Sequence, residues 1–143
     1  MSDLRPGKDY IGVGVGAVVL RDGRLLLLLR RKAPEAGCWS IPGGKVEFGE
    51  TCAHAVLREL SEETGLRGRI VALLGVTDHI VEEEHTHFVS PAFLVEAEGE
   101  AGHREEGSHK ELGWFDPEEL PENLTLTTKK ALEGYRRYLA DRV

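Results

Sequence analysis

The sequence predicts a single sandwich of the α/β or α+β class, and three observations carry that expectation. Residues 11–20 alternate apolar side chains with glycine at period 2, the pattern of a strand. Two stretches, 51–64 and a second one starting at Thr127 or Thr128, carry apolar residues at helical spacing. Strand-like runs lie before, between and after those helices, which fits neither an all-α bundle nor an all-β barrel. A chain of 143 residues is the size of one domain. It can bury about two-thirds of its unfolded surface and so needs no disulfide or structural metal to fold.

Each element has a local cause. Residues 1–9 read as a flexible lead-in containing Pro6-Gly7, and residues 10–143 as the domain. In residues 10–20, Ile11, Val13, Val15 and Ala17 alternate with Gly12, Gly14 and Gly16, so another backbone or a ligand should lie close to the glycine face. Asp22-Gly23 marks a hairpin turn into Leu25–Leu29, a strand apolar on both faces. Residues 33–37 form a loop, 39–41 a short extended piece, and 45–50 a turn-rich connection. Thr51 can cap a helix that stops at Gly65. Residues 70–81 and 88–96 read as strands, 97–110 as a polar, Gly-rich mobile loop, and 112–115 as a last strand. Residues 116–121 form a turn or helical turn, and Leu132, Tyr135, Tyr138 and Leu139 mark the closing helix.

Composition narrows the function classes. There are 18 Lys and Arg against 25 Asp and Glu, a net charge of −7. That balance argues against a nucleic-acid polymer or an anionic membrane as partner, since both select basic surfaces. A hydrophobic content of 41% argues against disorder. No uninterrupted aliphatic run exceeds the five residues of Leu25–Leu29, far too few to cross a bilayer, and residues 1–8 lack an apolar leader core. Cys38 and Cys52 fit neither a redox pair nor a zinc knuckle and read as reduced thiols. Together these features predict a cytoplasmic protein.

The chemistry concentrates in residues 43–66. On a helix, Ala53, Val56, Leu57 and Leu60 would form an apolar stripe, with Glu59, Glu62 and Glu63 on one face beside it. Like charges at this spacing cost about 0.2–0.5 kcal/mol per pair, so a counter-charge is expected. Arg58 can bridge one carboxylate, and a divalent cation can neutralise the others. Oxygen ligands without His or Cys suit Mg²⁺, Mn²⁺ or Ca²⁺ better than zinc. Such a cluster alone would be ordinary helix surface. The preceding Pro42-Gly43-Gly44-Lys45, followed by Glu47, Gly49 and Glu50, adds glycines that let backbone approach a metal or phosphate closely.

These residues also carry a resemblance. Gly44, Glu50, then Arg58-Glu59-Leu60, Glu62-Glu63 and Gly65-Leu66 match the nine specified positions of the 23-residue Nudix box. Trp114-Phe115 followed by 118–121 is similar to the C-terminal segment of such domains. The resemblance implies an α/β/α sandwich with a mixed central sheet and the box as loop–helix–loop. It also implies hydrolysis of a nucleoside diphosphate linked to another group, with Mg²⁺ or Mn²⁺ as cofactor. By position, Glu59 and Glu63 would be the main metal ligands, assisted by Glu62 and the Gly43 carbonyl. Arg58 would orient a carboxylate, and Glu50 would either sit near the metals or hold Arg58. The general base would be a box glutamate or one on a later loop; Glu105 and Glu106 are favoured there over Glu111.

Outside the box, the Pro that often marks ADP-ribose hydrolases is absent, as is the Tyr of dinucleoside polyphosphate hydrolases; Val81-Glu82-Glu83-Glu84 stands there instead. The Gly-rich first strand, residues 39–44, 48–51 and the small size resemble the MutT-type nucleoside triphosphate pyrophosphohydrolases. In that reading Arg30 or Lys45 contacts phosphates. The base would lie against Val13 and Val15, Phe88 and residues 123–127, with Asn123 as either a base reader or a turn former. An ADP-ribose hydrolase is the alternative, and a non-catalytic nucleotide sensor a second one. Degenerate members usually lose a box glutamate, and all stand here. Relatives of this kind occur as monomers and dimers, so a homodimer is compatible with the resemblance.

Other features read as structural. His85 and His87 share a strand face, but no third ligand is spaced for a metal. Arg30-Arg31-Lys32 is a solvated strand end or a phosphate contact. Tyr135 and Tyr138 read as core, and Trp39 as packing under the loop.

Overall fold

Strand β1 (Gly12–Arg21) organises the sheet, because three other strands pair with it. In this computed structural model, which describes residues 3–142, β1 turns through Asp22-Gly23 into β2 (Arg24–Arg30). Both turn residues have positive φ, 52° and 76°, as a two-residue hairpin turn requires. Met1, Ser2 and Val143, which the sequence reading assigned to the lead-in and the domain end, lie outside the described residues. A short β4 (Gly43–Lys45) lies antiparallel on β1, and β6 (Thr86–Glu98) runs parallel to it. Beyond β6 lies the antiparallel β5 (Arg67–Val81); β3 (Trp39–Ser40) and β7 (His109–Phe115) pair with β2. The main path is therefore β3-β2-β1-β6-β5, a mixed sheet.

The pleat of β1 sends its residues to two cores. Val15, Ala17 and Val19 pack with Ala55, Val56 and Leu60 of α1 (Cys52–Thr64), while Val18 packs with Leu74, Ala131 and Leu132 toward α2 (Leu126–Ala140). Helices thus cover both faces, and the α/β/α sandwich is observed. Leu25 to Leu28 are wholly buried, each contributing about 1.5–3 kcal/mol of apolar burial. That burial on both faces is what an unbroken leucine run predicts.

The structure differs from the sequence reading in several places, among them a last strand that starts at His109 rather than at Leu112. Residues 43–45 are a strand, because Gly43 approaches β1 so closely that a Cβ would overlap the Val15 carbonyl. The second helix starts earlier, with Thr125 as cap: its hydroxyl accepts from the Thr128 amide at 3.4 Å. Three threonines compete for that position, and Thr125 is the one whose own amide is fixed to the Trp39 carbonyl, at 2.9 Å. Strands β5 and β6 extend by a few residues to 67–81 and 86–98, with bulges in their pairing. In the lead-in, Lys8 donates to the Thr86 hydroxyl at 2.9 Å and the His87 amide to the Gly7 carbonyl at 2.9 Å. Among the described residues, no helix is long and apolar enough to cross a membrane.

Candidate active site

Helix α1 presents its acids in a fixed rotation. The Thr51 hydroxyl accepts from the His54 amide at 3.0 Å, a cap worth about 1 kcal/mol. At the other end Gly65 takes the left-handed conformation, φ 80°, and its amide reaches the Ser61 carbonyl. Ala55, rather than the expected Ala53, joins Val56 and Leu60 against the sheet. Glu63 follows Val56 and Leu60 at the helical repeat, so this carboxylate is turned inward and is only 5% exposed.

Strand β4 meets that face. The Gly43 amide donates to Glu63 Oε1 at 3.0 Å, and Glu59 packs against Gly44 where a Cβ would overlap its carboxylate. Burial, with the neighbouring charge of Glu59, drives the Glu63 carboxyl well above the usual range, the Gly43 amide opposing. Burial likewise raises Glu59 to about 7, Arg58 opposing and Glu62 and Glu105 adding to the rise.

Arg58 ties the acids together. Its Nε and Nη2 donate to the two oxygens of Glu50 at 2.6 and 3.0 Å, and Nη1 donates to Glu62 at 3.2 Å. Nη2 also reaches the Lys45 carbonyl at 3.1 Å, and Glu59 lies 3.5 Å from Nη1. Glu50 further accepts from the Glu47 amide and meets His54 Nδ1. Of the two positions open to Glu50, the structure thus shows it holding Arg58, whose bonds hold its carboxyl at about 2. Arg58→Lys replaces a two-pronged clamp by a point charge. Turnover is expected to drop about 10-fold or more with little change in KM, read by steady-state kinetics.

The loop 99–108 brings a further acid to the helix. The Gly102 amide bonds the Thr64 carbonyl at 2.8 Å, and the Arg104 amide the Glu63 carbonyl at 3.1 Å. These bonds satisfy carbonyls that a helix end leaves open. They also place Glu105 beside Glu63 and His109, with one ligand atom from each within 4.8 Å of the others. Glu106 is joined instead to Arg31 through its carbonyl oxygen, and Glu111 lies exposed on β7. His109 was missed by sequence reasoning, since a lone His after a polar loop has no spacing signal. Burial, with the charges of Arg30 and His103, brings it to about 4, so it is neutral at pH 7.

Glu63 and Glu105 offer hard oxygen donors beside the neutral imidazole of His109, and the Glu59 carboxylate is close enough to repel both acids. The Gly44 cradle that seats Glu59 fits this purpose, and the residues present fit a divalent cation. Raised carboxyls mean that the folded protein retains protons which the unfolded chain, at about 4.5, releases. Their contribution is present below pH 4.5 and, for Glu59, is lost as pH rises through about 7. Divalent cation should therefore raise Tm more at pH 8 than at pH 5.5; an equal rise at both would speak against binding at these carboxylates.

A cleft of about 210 Å³ adjoins this cluster. Gly43, Gly44, Lys45, Arg30 and His109 line it, as do Gly14, Gly16, Phe88, Ser90, Thr125 and Thr127. Gly14 and Gly16 of β1 line the cleft, while a Cβ at Gly12 or Gly16 would meet the side chain of Phe88 or Ile41. Arg30, Lys45 and Phe88 are brought together here. Val15 lines the cleft, but Val13 and Asn123 do not. The Asn123 side-chain amide instead donates to the Gly37 carbonyl at 2.7 Å, a tie to a distant loop that is neither a base contact nor a local turn bond. Two residues that sequence reasoning passed over, Glu35 and His79, also line the space.

The model of the NUDIX domain family matches residues 11–138. The chain is a Nudix hydrolase. An ADP-ribose pyrophosphatase of Methanocaldococcus jannaschii is 35% identical over 139 residues, 95% of this chain and 80% of that one. A CTP pyrophosphohydrolase of Escherichia coli is 32% identical over 109 residues, 73% of this chain and 76% of its own. The crystal structure of a MutT NUDIX hydrolase from Burkholderia pseudomallei superimposes with a TM-score of 0.84 at 45% identity, over 87% of this chain and 98% of that one. This Nudix hydrolase is of the MutT type and is a nucleotide pyrophosphohydrolase; enzymes of the family act on small nucleotide substrates and generally use a divalent metal.

Proposed function

We propose that the protein hydrolyses a nucleoside triphosphate, ribo or deoxy, to the monophosphate and pyrophosphate, with Mg²⁺ or Mn²⁺ as cofactor. The observation that carries this reading is the size and place of the cleft. At about 210 Å³ it is smaller than the roughly 300–1,000 Å³ of pockets that enclose larger ligands. It abuts Gly43 and Gly44, against which Glu63 and Glu59 pack. A base in the cleft therefore leaves its phosphates at the carboxylates.

In this reading Glu59 and Glu63 hold the metal, with Glu62 and the Gly43 carbonyl as outer partners. Arg58, clamped by Glu50, keeps the Glu59 carboxylate oriented. Bound metal would neutralise phosphate charge and acidify a water. Arg30 and Lys45 face the phosphates, and Phe88 offers a ring to the base. Glu105 takes the proton from the water as its oxygen bonds to phosphorus and the anhydride bond between the α- and β-phosphates breaks.

A second reading, an ADP-ribose pyrophosphatase, draws support from the M. jannaschii relative of that name. A non-catalytic sensor has less support, since Glu50, Glu59, Glu62 and Glu63 are all in place. The deciding experiment is a panel of NTPs, dNTPs, 8-oxo-dGTP, ADP-ribose and diadenosine polyphosphates with Mg²⁺. Release of pyrophosphate from a triphosphate supports the first reading. AMP from ADP-ribose, with triphosphates untouched, would replace it by the second.

A further inference from the structure

The cleft contains a carboxylate–imidazole pair that the proposed phosphate chemistry does not use. His79, on β5, is directly opposite Phe88 of β6 in the antiparallel register, so both rings belong to the cleft face. The residue is only 4% exposed, and its Nε2 lies 3.0 Å from Glu35 Oε1. The second oxygen of Glu35 accepts from the Leu126 amide, at the start of α2, at 2.9 Å. Glu35 holds this position with φ 59°, in the left-handed region that non-glycine residues rarely adopt. Among the described residues the His79 imidazole makes no other hydrogen bond, so Nδ1 is left for whatever enters the cleft.

Carboxylate and imidazole chemistry then determines what Nδ1 offers. An ionised carboxylate only accepts hydrogen bonds, so the proton of a neutral His79 must sit on Nε2, facing Glu35. Nδ1 is left as a lone-pair acceptor beside the Phe88 ring. We infer that the Glu35–His79 pair reads the nucleobase: Nδ1 accepts a hydrogen bond from an amino group on the base edge and disfavours a carbonyl oxygen there. Thr127, also lining the cleft, donates or accepts as needed and does not impose this polarity, while the buried Thr125 hydroxyl is taken up by Thr128. Glu35 acts through His79 and is a positioning residue. The inference rests on the proposed function, in that the cleft is taken as the base end of a nucleotide site.

Glu35→Gln reverses the polarity. The Leu126 amide still demands an acceptor, so the Gln oxygen must face it and the Gln NH₂ must face His79 Nε2. That donor drives the imidazole proton to Nδ1, which then favours a carbonyl. The test compares ATP with ITP and CTP with UTP, pairs in which a carbonyl oxygen replaces one amino group and the adjacent ring nitrogen gains a proton. Assays run at about pH 8.5, well above the ordinary imidazole range. Binding of the corresponding monophosphates without metal is measured by calorimetry. The wild-type protein should favour the amino member of at least one pair by about tenfold. Glu35→Gln should shift that ratio toward the carbonyl member by a similar factor, and His79→Phe should bring it near one.

Wild-type ratios near one, or equal losses on both members in Glu35→Gln, would overturn the inference and leave the hydrolase reading standing. Amino-selective monophosphate binding without hydrolysis of any triphosphate would support the inference and sink the proposed reaction. Should Glu35→Gln not fold, the imidazole ¹⁵N resonances of wild-type His79 give the answer directly. Protonated Nε2 and bare Nδ1, with Nδ1 shifting on addition of CMP or AMP, support the pair as reader; a protonated Nδ1, or one that ignores nucleotide, overturns it.

Discussion

Glu59→Gln is expected to lower kcat about 10³-fold at saturating Mg²⁺ while leaving the fold intact. Glutamine fills the same space, so it keeps the fit against Gly44 and removes only the charge. Above pH 7 the ionised Glu59 carboxylate faces Glu62 and Glu105, and its removal relieves that repulsion. The metal-free variant should therefore melt at the wild-type temperature or slightly above it. The rise in Tm on adding Mg²⁺ should shrink or vanish. Turnover within threefold of wild type would reject Glu59 as a metal ligand, and a Tm that still responds fully to Mg²⁺ would place the ion elsewhere.

Gly44→Ala should lower kcat/KM about 100-fold by moving that same carboxylate without changing its charge. Gly44 sits in a strand paired with Val15, so its backbone accommodates alanine, but the new methyl would occupy the place of the Glu59 carboxylate. Glu59 would have to swing aside, and its position toward Arg58 and the cluster would go with it. Thermal unfolding should change by only a few degrees. Combining Gly44→Ala with Glu59→Gln makes a double-mutant cycle. If the glycine acts through Glu59, the double variant should be nearly as active as Glu59→Gln alone. Additive losses would assign Gly44 some separate task, such as approach to phosphate.

How far the sequence carried can be judged residue by residue. Thr51 and Gly65 bound α1 as expected, because capping is a local interaction written in neighbouring residues. The hairpin at Asp22-Gly23 and the two-sided burial of the leucine strand are local in the same sense. Thr125 could not be singled out from Thr127 and Thr128, since the choice depends on the Trp39 carbonyl far away in sequence. Strand β4 was hidden because glycines carry no strand signal, although their smallness is what admits them against β1. At the site, the box spacing placed Glu59 and Glu63 on one face, and the structure shows Glu50 bound to Arg58. Glu35, His79 and His109 were invisible for one reason. Each meets its partner from a distant part of the chain: Glu35 from a loop 44 residues before His79, and His109 from a strand beyond α1. No periodicity reports a meeting of that kind.

The attachment of the 99–108 loop has a consequence for how this chain can vary. Two main-chain amides, those of Gly102 and Arg104, hold the loop to the end of α1. Backbone groups are common to every residue type except proline, so this anchorage is indifferent to side-chain identity. What it depends on is spacing. One residue inserted or deleted between Gly102 and Glu105 would shift the carboxylate out of step with Glu63, while many substitutions at the intervening positions would leave it where it is. The loop is a ruler, with its sequence open to drift and its length held fixed.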